Sequence, residues 1–404
     1  MSKLFDYVII GAGIVGLTIA RELKRRNSHA RICVLEKEHE PGRHSSGRNS
    51  GVLHSGIYYP PDSLKAKVCR QGALEMAEFH ERHQLKLDWR GKILVATRPE
   101  DAPQLDLLLQ RARQNGVISE MLSKVDLKKM EPEARSAVGQ ALWIPSTAVG
   151  SPGAVMQVLV REVQEQGIEL RYKAQVRVGD PAACQLHATD GSVISYGHVI
   201  NAAGLHADSV AHQFEVGKRY TLLPFKGLYW KLDPASGIRV NHLIYPVPDL
   251  RVPFLGVHTT TTTDGAVYLG PTAVPASGRE NYSGLNGVTG REFVRISGLL
   301  LRQVIQGRDG FRRLAWQEGR RYFKPWFADA ARAILPNVRT QHLLPCNKVG
   351  IRAQMLDRET GKLVTDFLVE QGPHSTHILN AISPAWTSAF PFARHVCDHF
   401  IEAI

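Results

Sequence analysis

The 404-residue chain is poor in cysteine: Cys33, Cys69, Cys184, Cys346 and Cys397 are odd in number, widely spaced and include no C-x-x-C pair. That excludes a disulfide framework and a paired-cysteine zinc site as organising devices, and fits a reducing compartment; no metal is expected. No run of roughly 18 consecutive apolar residues occurs, so a membrane-crossing helix is not expected and any membrane contact would be peripheral. Met1-Ser2-Lys3-Leu4-Phe5-Asp6 passes straight into a strand-like run without the parts of a secretory leader, which leads to the expectation of a cytoplasmic protein. No repeat of fixed period is visible. Negative charge is in short supply, 38 Asp and Glu against 50 Lys and Arg, a net charge of +12. Such an excess attracts anionic small molecules, nucleic acid or an acidic membrane surface, and does not choose among them. The rest is ordinary: 43% hydrophobic and 22% charged residues rule out a fibrous or disordered chain. The length suits roughly two to four folded units.

The first motif stands at the N-terminus. Tyr7 to Ile10 is an apolar run that ends in Gly11-Ala12-Gly13-Ile14-Val15-Gly16, and Leu17, Ala20 and Leu23 follow at helical spacing. Arg31 to Leu35 reads as a second buried strand closed by Glu36. In a strand, glycine turn, helix, strand and acid unit, Gly11 allows the tight turn and Gly13 lets backbone approach a pyrophosphate. Gly16 permits close packing, and the helix start stabilises the anion. Glu36 would accept hydrogen bonds from an adenosine ribose and repel a 2′-phosphate, which disfavours NADP; NAD and FAD are left equal.

Pro41 to Gly56 lacks periodicity and is rich in Ser, Gly, Asn and His, the composition of a ligand-facing loop with room for a short helix. Helices are expected over 63–82, 100–134, 154–166 and most of 291–339, and strands at Lys92–Ala96, Glu169–Arg177 and Val199–Gly204. From about Tyr220 strands dominate: Leu228–Leu232, Leu243–Val247, Phe254–Thr259 and Ala266–Gly270, the last two joined as a hairpin at Asp264-Gly265. Residues 302–339 hold nine basic against three acidic residues, half of the net charge. Ser383-Pro384-Ala385-Trp386-Thr387-Ser388-Ala389 is expected to open the last helix.

Asn49-Ser50-Gly51-Val52-Leu53-His54-Ser55-Gly56-Ile57-Tyr58-Tyr59 closely resembles a stretch of the L-2-hydroxyglutarate oxidase and dehydrogenase family of FAD enzymes. So do Asn241-His242-Leu243-Ile244-Tyr245-Pro246-Val247-Pro248-Asp249, Pro253-Phe254-Leu255-Gly256-Val257-His258, Gly350-Ile351-Arg352-Ala353-Gln354 and Ser383-Pro384-Ala385. The resemblance covers nearly the whole chain. It implies an α/β glycine-oxidase-like fold: a Rossmann-like FAD-binding domain with a second, β-sheet-rich substrate domain. It also implies oxidation of a 2-hydroxy dicarboxylate to the 2-oxo acid. Gly11, Gly13, Gly16, Glu36, Ser45, Asn49, Ser50 and Gly51 would line FAD, with Val176, Ala203 and Gly204 as further contacts. Two residues depart from the family pattern: Trp386 replaces a small residue and Leu228 a glutamate, which bears on pocket shape and substrate.

Oxidising an alcohol carbon requires loss of the hydroxyl proton and hydride transfer to flavin, and so a base of near-neutral pKa. His54 and His258 are the candidates. Arg352 can grip a carboxylate through two parallel hydrogen bonds, and Lys226 can serve the other end of a dicarboxylate. Pro384, placed in a helix's first turn, would aim the positive helix end at the flavin, with Thr387 beside it. Of Lys65 and Lys67, two apart on a helix, at most one faces a site, and solvated lysines are the expectation.

The expected division is an FAD-binding domain from 1–88, 145–215 and 340–404, and a substrate domain from 89–144 and 216–339. Oxygen or a membrane quinone would reoxidise the flavin. The alternatives are an amine or amino-acid oxidase of the same fold and a basic RNA- or membrane-binding protein holding flavin structurally; nucleic acid is not the expected partner.

Overall fold

The N-terminal apolar run forms strand β1, Lys3–Ile10, in a computed structural model that describes residues 3–250, 254–307 and 310–401. Pro253, which opens one of the runs behind the family resemblance, lies outside the described residues, as do Arg308 and Asp309 of the basic segment. Helix α1, Ile14–Arg26, follows the glycine turn and strand β2, Ile32–Leu35, follows the helix. By contact the chain divides into two units: 1–49, 152–224 and 352–404 make the first, 50–151 and 225–351 the second. This division gives 50–88, 145–151 and 340–351 to the second unit, where the sequence grouping kept them with the first, and gives 216–224 to the first.

In the first unit β1 lies between β2 and Val193–Asn201, parallel to both. Glu169–Arg171 extends the sheet beyond β2. The long strand Val193–Asn201 pairs antiparallel with Gln185–Ala188 at its start and parallel with Ser375–Asn380 at its end. Eight strands from three stretches of chain thus form one sheet. Every residue of β2 is buried, the signature of a strand covered on both faces. Phe5, Val8, Ile10, Cys33, Leu35 and Leu186 join in one core cluster. Helix α1 packs against Pro152–Glu165 and Ala389–His399.

In the second unit a four-stranded sheet runs in the order Leu243–Pro246, Lys92–Val95, Ala141–Ile144, Glu120–Leu122. A second has the order His258–Thr261, Val267–Gly270, Trp230–Leu232, Leu343–Leu344. The expected hairpin is present: Thr261 faces Val267, and Gly265 N–H donates to the Thr262 carbonyl.

Several boundaries differ from the sequence expectation. The strand expected over Phe254–Thr259 begins only at His258, and the run Leu228–Leu232 breaks at Tyr229 into two strands. Residues 100–134 contain, besides helices Ala102–Gln114 and Lys124–Met130, the strand Glu120–Leu122. Tertiary pairing with Ala141–Ile144 overrides the local helical preference there. Pro41–Gly56 forms turns and the two-residue strand Val52–Leu53, without a helix.

The last helix is Ala389–His399, so Pro384 is not in its first turn. The residues 383–388 form turns in which Ser388 N–H donates to the Pro384 carbonyl. The proline that does occupy the first turn is Pro391, where a missing N–H costs no intrahelical bond.

Candidate functional site

The glycine turn in the first unit has the shape its spacing predicts. Gly11 takes φ +107°, and a Cβ there would stand 2.6 Å from the Ala202 carbonyl oxygen. At Gly16 a Cβ would meet the Gly11 carbonyl oxygen at 2.1 Å. Neither position admits a side chain, so β1, α1 and the Asn201–Gly204 turn converge on bare backbone. Glu36, buried at the end of β2, accepts from Ala12 N–H at 2.9 Å and from Glu38 N–H at 2.9 Å.

Ser46 is the contributor that the sequence reading missed. Its Oγ accepts from Ile14 N–H at 2.9 Å, at the start of α1, where Gly13 has no side chain to cap the helix. The signal available was only a serine-rich loop, which does not say which hydroxyl reaches the helix. Ser45, the expected contact, is exposed. Asn49 donates from Nδ2 to the carbonyls of Ser45 at 3.2 Å and Ser46 at 2.7 Å, so it fixes the loop carrying both serines.

Asn201 supports the neighbouring turn: its Oδ1 accepts from Ala203 N–H at 3.1 Å and its Nδ2 donates to the Ala207 carbonyl at 2.8 Å. Gly204 has φ +53°. Val176 is buried in the first unit's core cluster and pairs with Ala188. Pro384 and Thr387 are both buried in the turns before the last helix. A helix start over backbone-only glycines, an inward carboxylate and a second small-residue turn fit an FAD pyrophosphate and ribose.

The second unit holds Ser50, Gly51 and the two histidines. Gly51 has φ +75°, and its carbonyl accepts from Gly150 N–H. His54 is half-buried; its carbonyl accepts from the Cys69 thiol at 3.2 Å. His258 is buried and stacks on Tyr245, with ring centroids 3.8 Å apart. Its Nδ1 lies 2.9 Å from the Gly256 carbonyl, which can only accept, so Nδ1 carries the proton and Nε2 is the accepting nitrogen. Burial, with a smaller push from the Lys92 ammonium, lowers its pKa to about 3. That departs from the near-neutral base the reaction calls for: the imidazole is sealed from water and beside a cation.

Lys92 is the larger omission. Read only as part of a strand, it is fully buried, its Nζ lying 4.6 Å from the Tyr58 ring centre and 5.4 Å from that of Tyr245. Neither its Nζ nor the Tyr58 hydroxyl has a hydrogen-bond partner among the described residues. Burial pulls the Lys92 pKa down to about 7. Lys226 is also buried, which excludes a surface salt bridge: its Nζ donates to Asn281 Oδ1 at 2.7 Å, and burial lowers its pKa. Arg352 is half-buried at the end of the strand Val349–Arg352. Of the pair on the Leu64–Arg82 helix, Lys67 is exposed whereas Lys65 is buried, with its Nζ 5.5 Å from the Tyr59 ring centre, so only one of the two is solvated. Of the two departures from the family pattern, Trp386 is buried and Leu228 half-buried.

Comparison with known proteins places these features in a family. Residues 6–399 match the model of the FAD dependent oxidoreductase family. The L-2-hydroxyglutarate dehydrogenase of Indibacter alkaliphilus is 36% identical over 98% of this chain and 98% of its own. That of Escherichia coli K12 is 34% identical over 97% and 92%, and the human mitochondrial enzyme 35% identical over 98% and 88%. Among solved structures, FAD-bound L-alpha-glycerophosphate oxidase of Mycoplasma pneumoniae superposes with a TM-score of 0.74 at 20% identity, covering 97% of this chain and 93% of that one. Glycine oxidase of Geobacillus kaustophilus gives 0.70 at 18% identity, over 98% and 94%; both likenesses show the shared fold. The cradle in the first unit and the match over nearly all of the sequence agree: the chain belongs to the FAD dependent oxidoreductase family.

Proposed function

We propose that the protein oxidises L-2-hydroxyglutarate to 2-oxoglutarate. The observation that carries this reading is the collinear identity, 34–36%, with L-2-hydroxyglutarate dehydrogenases over 97–98% of the chain. The buried cationic and imidazole groups of the second unit supply the chemistry that such a substrate needs. FAD, held by the turn at Gly11, Gly13 and Gly16, by Glu36 and by the turn at Ala203 and Gly204, would take up the electron pair and hydrogen lost from the alcohol carbon.

The chain's own residues do the rest. A dicarboxylate demands a cation for each end: Arg352 offers a planar two-pronged donor, and Lys226, with one of its three donors on Asn281, offers a point charge. The hydroxyl proton needs an acceptor. His258, at a pKa of about 3, suits accepting a hydrogen bond and orienting the hydroxyl better than holding a proton. Half-buried His54 therefore takes the role of base, with His258 as the orienting partner. The electron acceptor is oxygen or a membrane quinone, and the setting is the cytoplasm or the inner face of a membrane. Among the described residues no helix is long and apolar enough to cross a membrane.

Anaerobic titration of the purified protein, read at the flavin absorbance, tests the reading. L-2-Hydroxyglutarate should bleach the flavin with release of 2-oxoglutarate, whereas glycine and sarcosine should leave it oxidised. Bleaching by the amines and not by the hydroxy acid would replace this proposal with an amine oxidase of the same fold.

A further inference from the structure

Large apolar side chains are exposed in one part of the second unit far more than elsewhere. Of 17 such side chains among the described residues, ten lie between Leu285 and Trp326. Three helices carry most of them: Gly290–Gln306, Phe311–Arg320 and Lys324–Arg332. The first buries only Ile296 and Gln303 and leaves Val294, Leu301 and Ile305 at 70%, 61% and 63% exposure. Those three are spaced i, i+7 and i+11, one stripe of a helix. Trp316 on the second helix, Phe323 at the head of the third and Trp326 within it add exposed aromatic surface at 68%, 61% and 45%.

The helices form one structure. The Arg312 guanidinium donates to the carbonyls of Val304 and Ile305 at the end of the first helix. The Arg320 guanidinium stands 3.3 Å from the Trp326 ring centre and 5.7 Å from that of Trp316, linking the second helix to the third. Cations are thus interleaved with the apolar groups, and residues 302–339 carry nine basic against three acidic residues.

Such a surface is costly in water and needs a cover. Nucleic acid would use the arginines but offer nothing to Val294, Leu301 and Ile305. Arginines among aromatic rings would also suit a protein interface, but a second copy of this chain would bring the same basic excess against it, nine basic residues to three acidic ones. A lipid headgroup layer satisfies both sets at once, phosphates for the guanidinium groups and the acyl boundary for the aliphatic and indole side chains.

We propose that this three-helix face seats the protein on the surface of an anionic bilayer. The inference deepens the membrane-acceptor reading above and does not depend on which substrate is oxidised. Flotation of the full-length holoprotein with vesicles tests it, using phosphatidylcholine alone and phosphatidylcholine mixed with phosphatidylglycerol. The protein should float with the mixed vesicles, and high salt should weaken the association. Leu301→Asp combined with Ile305→Asp should lower the vesicle-bound fraction about ten-fold, and Arg302→Gln with Arg313→Gln, both exposed, several-fold. Flavin content and thermal unfolding, measured alongside, report folding. A second reading is the blue shift of Trp316 fluorescence on adding vesicles, absent in Trp316→Phe.

Equal flotation of wild type and both variants would overturn this surface while leaving a membrane acceptor in place. Wild-type protein that never floats would overturn both. A dimer broken by the aspartates, or salt-sensitive RNA retention, without vesicle binding would assign the face to a second copy or to nucleic acid and end the proposal.

Discussion

The glycine cradle of the first unit and the aromatic–lysine cluster of the second are both built from buried polar groups, and they are balanced in opposite ways. Around the cradle the named groups are matched at short range: Glu36 with Ala12 and Glu38, Ser46 with Ile14, Asn201 with Ala203 and Ala207. In the cluster, Lys92 Nζ and the Tyr58 hydroxyl are buried without a hydrogen-bond partner among the described residues, the ammonium facing only the Tyr58 and Tyr245 rings. A matched group holds a shape, whereas an unmatched buried cation holds a potential, and it does so at a cost in stability. The cradle thus fixes where a cofactor's phosphates can rest. The cluster adds a smaller push to the burial that keeps His258 neutral.

The largest expected effect strikes the cradle. Gly16→Val would drive a branched side chain into the Gly11 carbonyl, which already stands 2.1 Å from an ideal Cβ. We expect protein that either fails to fold or purifies without flavin, seen as loss of the visible absorbance. Yellow, normally stable Gly16→Val would show that the turn is not as tight as described. Next in size is His54→Asn, which should slow flavin reduction by L-2-hydroxyglutarate about 10²–10⁴-fold with flavin content unchanged. His258→Asn, removing an orienting group, should cost less in stopped-flow reduction. The reverse order would make His258 the base.

How far each region was legible follows from how its residues are spaced. Gly11 to Glu36 is one local pattern whose strand, turn and helix are neighbours in sequence, so its shape could be read directly. The cluster draws on Tyr58, Lys92, Tyr245 and His258, brought together by pairing such as that of Leu243–Pro246 with Lys92–Val95. Nothing near Lys92 in the sequence distinguishes it from a lysine at the exposed head of a strand. Its burial is a property of the sheet. Ser46 was hidden for a related reason, since three serines within six residues offer the same chemistry and only the fold selects one. Pro384 misled because a proline beside small residues resembles a helix start, while Pro391 seven positions later is the one in the first turn.

Lys92→Met separates the two kinds of balance. The Lys92 pKa is about 7 in the folded protein against an ordinary 10.5, so between these values the unfolded chain binds the extra proton and stability rises with pH. Below pH 7 both states are protonated and the full penalty of the buried charge is felt. The methionine variant should therefore be more stable than wild type by about 2 kcal/mol at pH 6, the gain fading as pH approaches 10.5. Removing the cation should also raise the pKa of His258, measurable by NMR titration of its ring. Methionine that destabilises equally at all pH values would mean that Lys92 is held by its packing against Tyr58 and Tyr245 and carries no strained charge.

The smallest effect returns to the cradle and tests the claim that its groups are matched. Ser46→Ala removes the acceptor of Ile14 N–H at the head of α1 and should cost about 1 kcal/mol, the usual loss for a helix cap. If the serine belongs to the protein's own balance, the deficit appears in the thermal unfolding of both holoprotein and apoprotein. If the first-turn amides turn to FAD phosphates once the cofactor binds, the deficit is confined to the apoprotein, because the anion then replaces the lost acceptor. Unfolding scans of the two forms side by side decide between a cradle complete in itself and one completed by its ligand. An equal loss in both would place Ser46 among the fold's own contacts, as matched as Glu36 and Asn201.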